Sequence, residues 1–263
     1  MTMQWAFFFT KTLIAVVLFI QATEIFYILK QPSFKEIYKL NNIKNDFLLG
    51  LPMPNKWIFF IFAEDRFKYF VVLQISMAVL GLFQDQFIIF LILFFTHLMI
   101  CIRFRGTFNG GSDMMTFVVI TGVLIYLSSS RVEVQKLGLV YIAIQNIYSY
   151  FKAGIVKIIH TEWRSGYALP NFLKRSLFTS MRGLGEQVVL YKRTCWFACW
   201  CVLIFELLSL LLPLFPRFVF IYFFFAILFH LIVYCAFGLN RFFWVWLSSW
   251  PATLYVLSRG LSL

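Results

Sequence analysis

Among the side chains that can take up or release a proton within the long apolar runs of this chain, Glu24, His97, Lys157, Glu206 and His230 stand out. A titratable group surrounded by hydrocarbon is costly, so each needs a partner or a task. Lys157 carries the most specific chemistry. Stepping back from it at helical spacing passes Ala153, Tyr150, Asn146 and Ala143, a stripe of small and polar residues suited to facing other helices rather than lipid. An amine held on such a face and shielded from water is a candidate base, whereas an amine near a helix end can simply extend its stem toward the headgroups. Both readings fit Lys157 at this level. His97 and His230 read either as hydrogen-bonded structural histidines or as proton-carrying pocket groups. Glu206 reads either as an acid hydrogen-bonded within the bundle or as a functional carboxylate.

Other chemistry has no foothold. No nucleophile elbow, Walker loop, HExxH zinc motif or GxGxxG fingerprint occurs, so hydrolase, nucleotide-binding and zinc-protease readings are unsupported. Cys195, Cys199 and Cys201 lack the paired CxxC spacing of a zinc site. With Cys101 and Cys235 they lie in or at the ends of apolar runs, where a thiol packs as a small hydrophobe, so neither a metal nor a disulfide framework is expected.

The elements that must position these groups follow from composition. Of 263 residues, 62% are apolar, 21% aromatic and only 13% charged, a balance that a soluble domain of this length does not need. A bilayer crossing takes roughly 20 apolar residues, and backbone polar groups in lipid must be satisfied within the segment, so the runs are expected to be helices. They cover residues 6–29, 69–83, 87–102, 114–129, 136–159, 194–212, 217–236 and 242–257. The first is too long for the core of a signal peptide and lacks a small-residue cleavage site, which makes it a retained helix. Gln84, Asp85 and Gln86 are enough for a tight helical hairpin, and Pro213 and Pro216 force a turn between the sixth and seventh runs. Residues 30–56 and 160–193 read as two long basic loops, and the short aromatic run 57–62 as an interfacial segment. The expected fold is all-α, a polytopic integral membrane bundle of about eight transmembrane helices forming one domain over 1–263, with no soluble C-terminal domain.

Charge tests this topology. Starting the chain outside places every Lys and Arg on one side except Lys11, Arg131, Lys136, Arg217 and Arg259, and that side is therefore expected to be cytoplasmic. The pattern suits a bacterial-type inner membrane, and it accounts for the net charge of +12 without nucleic acid as a partner. Odd-numbered helices then all end at the basic face. That brings Glu24, His97, Lys157 and His230 to one depth, with Gln21, Gln74, Tyr150 and Asn240 as hydrogen-bonding neighbours, and a functional site is expected there.

Three segments add a resemblance. The stretch from Tyr150 through Lys152 and Gly154 to Lys157, followed by Trp163, Arg164, Ser165, Gly166 and Tyr167, is similar to the signature of the vitamin K-dependent γ-carboxylase family and its bacterial relatives, the horizontally transferred transmembrane (HTTM) proteins. His230 followed by Phe237, Ser249 and Pro251 resembles the carboxylase segment that runs from its membrane histidine, and Phe108, Asn109, Gly110, Gly111 and Ser112 resemble a third family segment in the same order. The resemblance covers nearly the whole chain. It implies a membrane core in which Lys157 is the base that deprotonates a reduced quinone of the vitamin K type, and His230 a residue of the same site. Tyr150, Asn146, Trp163, Gly166, Glu24, His97, Asn109, Gly111 and Asn240 would shape the pocket. Where the carboxylase pattern has a histidine that assists carboxylation, this chain has Gly111, and glycine cannot move a proton. Small relatives of this kind include one that matures a secreted peptide toxin, which implies a small secreted peptide or a soluble membrane-associated protein as partner. The function expected is a quinol-dependent or peptide-modifying membrane enzyme. The alternative from another class is a non-enzymatic membrane partner or transporter subunit whose polar residues hold helices together.

Overall fold

The computed structural model describes residues 1–32, 60–104 and 110–259. Each of the eight apolar runs is a helix: α1 (Met3–Lys30), α2 (Glu64–Phe83), α3 (Phe87–Phe104), α4 (Gly110–Leu127), α5 (Val132–Ile159), α9 (Lys192–Leu208), α10 (Val219–Phe237) and α11 (Asn240–Arg259). Six of them, α1 to α4, α9 and α10, are long and apolar enough to cross a membrane. The chain is therefore a multi-pass membrane protein. α5 and α11 match them in length but carry more polar residues, because they face the interior of the bundle. Three short helices, α6 (Thr161–Ser165), α7 (Ala168–Lys174) and α8 (Thr179–Val188), occupy the stretch expected to be a loop. Their apolar positions are too few and too interrupted to register as spanning runs, but Met181, Leu184 and Val188 keep helical spacing. The aromatic run 57–62 lies mostly outside the described residues. Its last member, Phe62, is buried against Phe67.

Local chemistry sets the helix ends. Thr2 accepts the Trp5 amide at 3.3 Å and caps α1. Residues 84–86 break α2 from α3, and the Lys11 ammonium pairs with Asp85 there, tying the start of α1 to the hairpin. Past α9, a 3₁₀ turn at Ser209–Leu211 and another at Pro216–Phe218 bracket the proline-bounded reversal.

α1 packs along α2 and α11, and α5 along α4, α11 and α9. The main apolar core joins side chains of α1, α3, α4, α5, α10 and α11. A smaller one closes the far end of α1 against α2 and α3 through Ile25, Phe67, Val71 and Ile100. The antiparallel alternation gathers Lys30, Arg66, Arg103, Lys157 and Arg241 at one end of the bundle and Lys11, Asp85, Arg131 and Arg217 at the other.

α9 is offset along the bundle. Ser209 donates to the Ile147 carbonyl at 3.1 Å, while the Trp200 indole donates to the Arg164 carbonyl at 3.2 Å. The helix therefore lies antiparallel to the last turns of α5 and continues past its end, beside α6.

α4 and α5 approach each other through two glycines. A Cβ at Gly138 would lie 2.5 Å from the Gly122 carbonyl oxygen, and one at Gly122 would lie 2.3 Å from Ile142. Small residues at such crossings let backbones pack closely where lipid offers no hydrophobic driving force. Gly138→Val should lower the melting temperature of the purified protein in detergent, at a cost of about 2 kcal/mol or more, whereas Gly183→Ala, at a position with open space around it, should leave it unchanged. Equal melting curves for the two variants would refute the close-packing account.

Candidate functional site

The four same-depth groups expected to share one site divide between two polar clusters. The first joins α1, α2, α3, α4 and α11. His97, fully buried on α3, contacts Gln21 Oε1 through Nδ1 at 2.8 Å and the Asp113 carbonyl through Nε2 at 3.2 Å. Gln74 donates to the Leu18 carbonyl at 3.0 Å and to Gln21 Oε1 at 3.1 Å, and Gln21 donates to Asp113 Oδ1 at 3.3 Å. Both ring nitrogens of His97 thus face oxygens that can only accept, and whichever carries the proton donates across to α1 or α4.

Arg241, the second residue of α11, closes this cluster. Its Nη1 lies 3.2 Å from Asp113 Oδ1 and its Nε 3.4 Å from Glu24 Oε2. Asn240 donates to the other Glu24 oxygen while its own carbonyl accepts the Arg241 amide at 2.6 Å. Two carboxylates thus hold one guanidinium, and the planar fork of arginine suits that task better than lysine.

Ligand atoms of His97, Cys101 and Asp113 all lie within 4.8 Å of one another, a spacing that admits a metal. The chemistry of the set argues against one. Asp113 is already neutralised by Arg241, and a second cation would sit beside that guanidinium.

The second cluster lies between α5, α9, α10 and α11. Lys157 Nζ is 2.5 Å from Glu206 Oε1, with the carboxylate buried and the lysine stem about one fifth exposed. The ammonium also lies 5.2 Å from the centre of the Trp163 ring on α6. Tyr150, seven residues before Lys157 and hence on the same helical face, bonds through its hydroxyl to His230 Nε2 at 2.6 Å. Around this bond stand the rings of Phe205, Tyr222, Trp246 and Trp250, all within 6.5 Å of Tyr150, while Phe242 and Trp246 pack on His230. Asn146, one turn before Tyr150, donates to Thr253 at 3.0 Å and joins α5 to α11.

The backbone explains how these groups meet. Leu207 packs against Gly154, and Ser209 bonds across to α5, so Glu206 is brought to the level of Lys157. Gly166 adopts a left-handed conformation (φ 85°), and a Cβ there would lie 2.6 Å from the backbone of Trp196. It turns the chain after α6 where α9 passes closest. α9 rests on α5 and α10 on α11, and the two meet chiefly through side chains: Phe205 stacks on Tyr222 at 4.5 Å, and Tyr222 donates to the Phe205 carbonyl.

The two clusters differ in how well they are satisfied. Buried polar atoms nearly always find hydrogen bonds, and those that do not call for an explanation. Among the described residues of the first cluster Gln74 Oε1 is buried without one, whereas in the second Glu206 Oε2, His230 Nδ1, Asn146 Oδ1 and Trp250 Nε1 all are, each adjoining Tyr150 or its ring partners. The cluster pairs an amine, a carboxylate, an imidazole and a phenol, and it retains free acceptor capacity.

Of the other residues expected in the pocket, Gly111 is the second residue of α4, beside Phe242, and Asn109 lies outside the described residues. Glu24, His97 and Asn240 belong to the first cluster and not to the site of Lys157. Asp113 and Arg241 each sit at a helix start, where charge alone reads as solvated, so spacing does not mark them as site residues. Only the packing of α11 across α1 and α4 reveals them as buried.

The fold and these clusters define a polytopic helical membrane protein with buried acid–base groups. A family model described as the HTTM domain matches residues 123–256, from the second half of α4 into α11, and the chain belongs to that family. The match contains Tyr150, Lys157, Glu206 and His230, whereas Gln21, Glu24, His97 and Asp113 precede it. No curated protein and no solved structure matches the chain.

Removing one partner of a buried charge pair leaves the other uncompensated, at a cost of about 3 kcal/mol or more. Arg241→Met, which leaves the buried Asp113 without its cation, should therefore destabilise the protein strongly in detergent melts, and adding Asp113→Asn should recover part of the loss. No recovery in the double variant would refute the coupling.

Proposed function

We propose that this HTTM-family protein is a membrane enzyme whose Lys157–Glu206 pair removes a proton from an apolar substrate of the reduced-quinone class. The observation that carries this reading is the pair itself, set beside the Tyr150–His230 hydrogen bond among aromatic rings, with Glu206 Oε2, His230 Nδ1, Asn146 Oδ1 and Trp250 Nε1 buried and unbonded. Pockets for flat apolar ligands are lined in this way, by aromatic walls with a few oriented polar groups.

The pair suits a base in either of its forms. As ammonium and carboxylate, Glu206 has Oε2 free to take a proton; as amine and acid, with the acid proton on Oε2, Lys157 has a lone pair that can take one. One proton is accepted in each case. A positive charge then remains beside the oxygen that lost its proton, where it stabilises the developing anion. Trp163 shields the ammonium from water on the α6 side. Tyr150 and His230 hold a second transferable proton two helical turns away along α5, suited to orienting a hydroxyl or returning a proton. A reduced quinone would supply an acidic phenolic hydroxyl and reducing power. The partner to be modified, in this reading, is a small secreted peptide or a membrane-associated protein, and the basic end of the bundle faces the cytoplasm.

The test uses the full chain in lipid nanodiscs with a reduced naphthoquinone, reading oxygen uptake and quinol binding. Lys157→Ala and Glu206→Gln should each lower hydroquinone-dependent uptake about a hundredfold or more. Tyr150→Phe should lower it less, and all three should keep the wild-type elution profile. Full uptake in Lys157→Ala would remove the base from this site. A wild-type protein that neither binds nor oxidises the quinol would favour a non-enzymatic partner or transporter subunit.

A further inference from the structure

Between α5 and α9 the chain makes an excursion of about thirty residues at the basic end of the bundle, through α6, α7 and α8. Among the described residues, no other element covers its outer side. Leu177 is 82% exposed and Leu190 80%, and Tyr167, Phe172, Phe178, Leu184 and Tyr191 are also exposed. Interleaved with them are Arg164, Lys174, Arg175, Arg182, Lys192 and Arg193, all exposed, against only Glu162 and Glu186. α8 is amphipathic: Met181, Leu184 and Val188 share a face, Arg182 and Glu186 lie on the other, and Gly185 packs on α7 at Leu173 and Lys174. With ten residues it cannot span a bilayer.

We propose that this segment lies in the headgroup layer and binds anionic phospholipid, with its aliphatic and aromatic side chains at the acyl boundary and its arginines and lysines on the phosphates. Continuity with the spanning surface argues for lipid over a protein partner. The exposed Leu190 and Tyr191 lead directly into Trp196 and Phe197, which are exposed on the first turns of the spanning helix α9. Apolar surface therefore lies on both sides of Lys192 and Arg193, on the spanning helix and on the excursion, and the cations stand at the level between them. Tyrosine and tryptophan prefer that level, and cations there gain from an anionic surface. Exposed leucines between arginines suit the boundary of acyl chains and phosphates and suit bulk water poorly.

Hydrogen–deuterium exchange of the full chain provides the test, in nanodiscs of phosphatidylcholine alone and of an equal mixture with phosphatidylglycerol. Amides of residues 175–191 should exchange roughly tenfold more slowly in the anionic discs, and those of α4 and α5 equally in both. The triple variant Lys174→Gln, Arg175→Gln, Arg182→Gln should lose that difference while keeping the elution profile and the α4 exchange of the wild type. Leu177→Glu with Leu190→Glu should speed exchange of the segment in both lipids. Equal exchange of the wild-type segment in the two disc types would overturn the proposal, as would a lipid-dependent difference that survives in the triple variant.

Discussion

A guanidinium held between two carboxylates, inside a bundle whose surroundings cannot hydrogen-bond, is the interaction on which the rest of this structure depends. Arg241 sits at the first turn of α11, and its contacts with Glu24 and Asp113 fix that helix against α1 and α4 at once. Each residue of slip along α11 would rotate its side chains by roughly 100°. The pair thus sets not only the start of the helix but the face it shows lower down. That face carries Trp246, Trp250 and Thr253, which meet Tyr150, His230 and Asn146.

One helix consequently passes through both polar clusters, and the contrast between them is informative. Around His97 and Gln21 the donors and acceptors close into a network reaching from Gln74 to Asn240. Such an arrangement, buried and largely satisfied, holds five helices together and leaves little capacity for a ligand. Around Tyr150 the apolar packing is equally dense, yet a carboxylate oxygen, an imidazole nitrogen and an amide oxygen remain unbonded. Capacity left over in a buried setting is what a substrate can use.

The offset of α9 makes the second cluster. A helix in register with α5 would have carried Glu206 away from Lys157. Because α9 instead continues past the end of α5 along α6, the carboxylate arrives beside the amine, and Trp163 covers the result. The same offset obliges the chain to make its basic, partly apolar excursion at the end of the bundle.

Much of the fold was legible in the residues alone. Eight apolar runs, a three-residue hairpin and a proline-bounded turn predict the long helices because lipid admits no other way to satisfy a backbone. The helical stripe of Asn146, Tyr150 and Lys157 on the inner face of α5, and the HTTM family itself, were equally readable, since the first depends on spacing within one segment and the second on short motifs in sequence order. Which groups meet was not. Glu24, His97, Lys157 and His230 share a depth by topology, but depth leaves rotation and neighbour order free, and these divide the four between two clusters. Asp113 and Arg241 were hidden because the burial of a helix end depends on what packs over it. Glu206 became the partner of Lys157 only through the stagger of two helices, which is set by contacts between segments and written in neither one.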